Sequence, residues 1–110
     1  MPSDYSDIDG RMEERRKTIE KTIHAIDPEE LKKLGEGLFP QVDHPWRAKF
    51  FNFISENAGA TFHHAMTDDR IHIIYCKQKE KGMWFLPGTG MGPLQSKGIM
   101  ILKEVVATAE

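Results

Sequence analysis

At Gly59 the spacing of apolar residues changes from a repeat near 3.6 residues to a repeat of two. Upstream, Ile8, Met12, Ile19, Ile23 and Ile26 recur among Arg11, Glu13, Glu14, Arg16, Lys17, Glu20 and Lys21, the stripe of an amphipathic helix. Downstream, Phe62, His64 and Met66 alternate with Thr61, His63 and Ala65, and Ile71, Ile73 and Tyr75 alternate with His72, Ile74 and Cys76. That is the pattern of pleated strands. The expected fold class is therefore α+β: N-terminal helices, a three-stranded antiparallel β-meander, and a C-terminal helix packed on the sheet.

Local signals divide the first half. Asp27-Pro28-Glu29-Glu30 offers a cap, a proline for the first helical position and glutamates for the first turn. Gly35, Gly37 and Pro40 supply the means to end that helix near Leu34 to Leu38. Asp43-His44-Pro45 repeats the start signal, and Trp46, Phe50, Phe53 and Ile54 then share one broad face, closed by Asn57, Ala58 and Gly59.

In the second half, the first two strands are expected to meet at Thr67-Asp68-Asp69-Arg70. A left-handed glycine in Glu80-Lys81-Gly82 is expected to turn the chain into a third strand, Met83 to Leu86. Pro87-Gly88-Thr89-Gly90-Met91-Gly92 reads as a break, and Pro93 as the opening of the last helix, in which Leu94, Ile101, Leu102 and Val105 share a face. The expected organisation is a disordered tail over 1–7 and a single α+β domain over 8–110. Its three N-terminal helices would lie on one sheet face, with the final helix in the same layer.

Composition bears on class. Hydrophobic residues at 39% and charged residues at 29% are an ordinary globular balance. A net charge of -2 gives no field to gather nucleic acid or an anionic membrane, so neither is an expected partner. The single cysteine, Cys76, excludes an intramolecular disulfide and a four-cysteine zinc site. With no apolar signal core in MPSDYSDIDG, a cytoplasmic location is expected.

Three constellations could carry chemistry. The order strand, glycine-rich segment, helix makes Gly88, Thr89, Gly90, Met91 and Gly92, with the nearby Trp84, candidate ligand-binding residues. Glycines let a backbone approach a ligand, and a helix N-terminus favours an anion. A P-loop is excluded because Ser96-Lys97-Gly98 runs in the wrong order, and no further strand follows to carry the acidic residue of a dinucleotide site. The plainer reading is a connection between sheet and helix.

His63, His64, His72 and Cys76 are metal-ligand types, but adjacent strand residues face opposite ways. A hairpin loop of two or four residues would put His63 and His72 on one face. A one-residue shift of register would bring His64 toward His72 instead. Lacking a full ligand set at a recognised spacing, the chain is expected to hold no metal and no cofactor. Cys76, in an apolar strand, reads as a core residue and not a nucleophile, and Asp68-Asp69 as turn residues.

A three-stranded sheet covered on one face would leave Ile74, Cys76 and either Trp84 or Met83 pointing outward. Such an apolar patch usually marks a partner surface. The leading functional expectation is accordingly a small non-catalytic protein-binding or regulatory module, acting on a protein partner or through self-association as a homodimer. The alternative is a small-ligand or anion-binding protein, or an enzyme, with its site at 88–92 before the last helix.

Overall fold

The structure, a computed structural model, describes residues 10–109, so the expected tail at 1–7 and Ile8 lie outside it. A helical stretch at 10–14 leads through Arg15 into α1, Arg16–Thr22. Then follow β1, His24–Ile26; α2, Pro28–Leu38; α3, Pro45–Glu56; β2, Phe62–Met66; β3, His72–Cys76; β4, Lys81–Leu86; β5, Gly90–Pro93; and α4, Ser96–Ala109. The fold is α+β with an antiparallel sheet, but among the described residues the sheet has five strands, in the order β1-β2-β3-β4-β5, and not three.

The two additional strands are the edges, and each is made by a local device. The Thr22 hydroxyl lies 3.0 Å from both Thr18 O and Met66 O, and its one proton, shared between them, ties the end of α1 to β2. Ile23 then turns extended, with φ -71 and ψ 138. His24, Ala25 and Ile26 fall opposite His64, His63 and Phe62. At the other edge, Thr89 N–H donates to Leu86 O at 3.0 Å and Gly88 has φ +85. Proline followed by a left-handed glycine is a type II turn, and it folds Gly90–Pro93 back onto β4.

Helices cover both sheet faces. Ala65, Ile71, Ile73, Tyr75 and Trp84 share one core with Met12, Ile19, Leu102 and Val105 of the N- and C-terminal helical layer. Phe62, Ile74, Cys76, Met83 and Phe85 share the other with Leu31, Phe39, Phe50 and Ile54 from α2, α3 and their connection. The expectation of three helices on one face, with the last in the same layer, is thus corrected: α4 packs on the sheet beside α1, opposite α2 and α3. No apolar sheet face is left bare, because Ile74 and Cys76 are 0% exposed, Trp84 6% and Met83 7%. Phe50, 0% exposed, anchors the second core; truncating it to alanine costs about 3 to 5 kcal/mol.

The turns also differ in detail from the sequence expectation. Glu80, with φ 51, takes the left-handed position assigned to Gly82. Gly82 instead lies within β4, where a Cβ would come 2.5 Å from Leu94 Cδ1. α2 runs through both glycines and stops before Pro40. Leu94 N–H still bonds Gly82 O at 2.9 Å, so Pro93 closes β5 and the last helix opens at Ser96.

Candidate functional site

An open cleft of about 540 Å³ lies at the β5 edge, between α3 and the start of α4. α3 contributes Lys49, Asn52, Phe53 and Glu56, spaced so that they fall on one helix face. β4 contributes Lys81 and Met83, and β5 contributes Met91, Gly92 and Pro93. Leu94 and Ile99 close the far side. The floor is apolar and partly or fully buried, whereas Lys49, Asn52, Glu56 and Lys81 stand exposed on the rim. None of Lys49, Lys81 and Glu56 enters an ion pair among the described residues.

Two of the six sequence-derived ligand candidates, Met91 and Gly92, line this cleft. Gly88 and Thr89 form the exposed tip of the β4–β5 turn. Gly90 lies against Trp84, its Cβ position 3.4 Å from Trp84 Cη2, and Trp84 belongs to the core under α1 and α4. The six therefore do not converge. The pleat separates Met91 from Trp84, and the segment read as a glycine loop is a strand. Of α4, Ile99 in its first turn lines the cleft, whereas Ser96, Lys97 and Gly98 do not. Lys49, Asn52, Phe53 and Lys81 were missed because nothing in the linear pattern brings α3 beside β5.

The free edge of β5 shapes what the cleft can accept. Because Leu94 N–H bonds Gly82 O, alternation along the antiparallel ladder turns Gly92 and Gly90 toward β4 and points Met91 and Pro93 outward. Pro93 has no N–H, so Met91 carries the outward amide of this short edge. An added strand would find few main-chain partners there.

A second constellation occupies the opposite edge. Thr67 and Ile71 close a loop in which Arg70 takes φ 66, a turn followed by a left-handed residue. This sets Met66 opposite His72 and His64 opposite Ile74. His64, not His63, therefore shares a face with His72. The rings lie with His64 Nε2 and His72 Nδ1 3.0 Å apart. His24 meets His64 edge-on, with centroids 5.4 Å apart, and His72 is parallel to Phe85 at 5.0 Å. His63, 3% exposed, faces the other core beside Tyr75.

Burial holds the His64 pKa down, with help from the neighbouring His72 and then His24, to about 4 from an ordinary 6.5. Burial also lowers that of His72. Both rings are thus neutral near pH 7, one donating and the other accepting in their shared hydrogen bond. Among the described residues no three His, Cys, Asp or Glu side chains are placed to hold a metal ion. Among the same residues no helix is long and apolar enough to cross a membrane. Compared with protein-family models, curated proteins and solved structures, the chain matches none.

Proposed function

We propose that the protein binds a small amphipathic carboxylate in the cleft between α3 and the β5 edge. The observation that carries this reading is the pairing of an apolar floor, formed by Phe53, Met83, Met91, Leu94 and Ile99, with the rim ammoniums of Lys49 and Lys81. Known ligand sites are mostly apolar clefts of about 300 to 1,000 Å³ with a few placed polar groups, and 540 Å³ falls within that range. Glu56 stands two helical turns from Lys49, about 10 Å along α3, so along this helix the Lys49 end favours an anion over the Glu56 end. The blunted edge at Pro93 favours a small molecule over a peptide strand. A protein partner or a second copy of the chain would need a surface other than the sheet faces, both of which are covered.

Methyl NMR of the methionines tests the reading, with decanoate as the probe. Saturable shifts at Met83 and Met91, weakened at least tenfold in a Lys49→Ala, Lys81→Ala double variant, are the expected result. Met66 and Met100, 42% and 67% exposed, report non-specific contact. Shifts confined to Met66 and Met100, or affinity unchanged in the double variant, would refute it.

A further inference from the structure

We propose that the His24–His64–His72 ladder is a proton-operated latch on the β1 edge: protonation on mild acidification detaches β1 from β2, while β2 to β5 stay folded. The geometry makes the latch. A hydrogen bond between two imidazoles needs one neutral acceptor, so the 3.0 Å contact between His64 and His72 cannot persist when both rings are charged. His24 sits opposite His64 in the register, so a charged His64 also meets the imidazole that β1 itself presents.

The groups facing the ladder leave a second proton uncompensated. β1 presents His24, β2 His64 and β3 His72, while β4 presents the uncharged Phe85. From the helical layer comes Phe39, 5.7 Å from Phe85, and beyond it His44, whose Nδ1 accepts from Trp46 N–H at the start of α3. Among the described residues no carboxylate contacts any of the three rings; the contact of His24 Nδ1 is with the Thr22 carbonyl, at 3.1 Å. The pKa of His64, held down to about 4, fits this placement, and burial lowers that of His72 as well.

β1 is the element that should yield. It is three residues long, pairs on one side only among the described residues, and leaves His24 and Ala25 exposed. The strands inside the sheet are paired on both sides and buried between two helical layers. Short edges with few buried contacts open first.

Amide hydrogen exchange, expressed as protection factors to remove the intrinsic pH dependence, tests the latch between pH 7 and pH 4.5. Protection at His24, Ile26, Phe62 and His64, whose amides close the β1–β2 ladder, should fall at least tenfold, while amides shared by β3 and β4 keep theirs. His64→Gln should flatten the pH response. Should that variant fail to fold, His24→Gln, at an exposed position, should reduce it instead. A uniform loss of protection across the sheet, or a pH response unchanged in the folded variant, would overturn the proposal.

Discussion

Two glycines two positions apart in α2 should respond to alanine with opposite sign. A Cβ built on Gly35 would lie 2.4 Å from Phe50 Cε1 and 2.7 Å from Cδ1, whereas one on Gly37 meets nothing within 4 Å. Carbon atoms normally approach to about 3.5 to 4.0 Å, so Gly35→Ala requires the ring to move by about 1 Å. Phe50 has no room to do so. It is 0% exposed and hemmed by Phe51, Phe85 and Phe39, with ring centroids at 5.4, 5.5 and 5.8 Å. Overpacking costs about 1 to 3 kcal/mol, and the better helix propensity of alanine returns up to about 1 kcal/mol. The net expectation for Gly35→Ala is a loss of about 1 to 2 kcal/mol. Gly37→Ala keeps only the favourable term and should gain up to about 1 kcal/mol. Urea unfolding followed by circular dichroism measures both as shifts in midpoint at unchanged slope. A Gly35→Ala protein as stable as the parent would mean that α2 and α3 do not cross through this glycine. A destabilised Gly37→Ala would mean that the helix does not continue to Leu38.

Further outcomes follow from other contacts. Since the unfolded chain binds protons more tightly than the buried His64, stability is full above pH 6.5 and declines toward pH 4. That gap corresponds to about 3 kcal/mol before solvent contact of the half-buried ring trims it, and chemical denaturation at several pH values should find the fall reduced in His64→Gln. The Tyr75 hydroxyl is buried without a hydrogen-bond partner among the described residues. Tyr75→Phe should therefore leave stability unchanged or raise it by about 1 kcal/mol, and a clear loss in urea titration would reveal a partner. Arg15 reaches Asp68 at 3.1 Å and Asp69 at 3.2 Å, but all three side chains are substantially solvated. Arg15→Ala should cost under about 1 kcal/mol, less in high salt. Arg70 holds a left-handed φ of 66, so Arg70→Gly should gain about 0.5 to 1 kcal/mol in thermal unfolding.

How much of this was legible depended on whether the signal was local. α3 and its start at Pro45 stood out because aromatic spacing and proline act within a few residues, and the central strands because alternation persisted from Phe62 to Cys76. β1 was not legible: Ile23 and Ile26 fit the helical stripe, and only pairing with residues 62–64, far along the chain, makes 24–26 a strand. β5 hid for the opposite reason, since Gly90, Gly92 and Pro93 have poor strand propensity and are ordered by the turn before them. The histidine register turned on one residue, Arg70, whose left-handed backbone lengthens the loop by a position that propensity rules assign to glycine. Of the cleft, Met91 and Gly92 were legible but the rim was not, because packing and not linear pattern sets Lys49 of α3 and Lys81 of β4 around one opening.

The two unforeseen strands also explain where chemistry is left to this fold. Sequence patterning alone suggested a bare apolar sheet face, but helices on both sides consume that surface, and residues such as Ile74 and Trp84 become core. A sheet roofed twice keeps only its rims in contact with solvent, and side chains at the rims have one strand neighbour instead of two. At the β5 rim, small residues and proline blunt pairing and leave room for the cleft under α3. At the β1 rim, the short strand leaves the histidine ladder half-buried, dry enough to be neutral yet close enough to solvent to be protonated. The two edges are separated by the full width of the sheet, so loss of β1 in acid should leave decanoate binding at Met91 intact. Binding that fails together with β1 protection would show that the edges are energetically one unit.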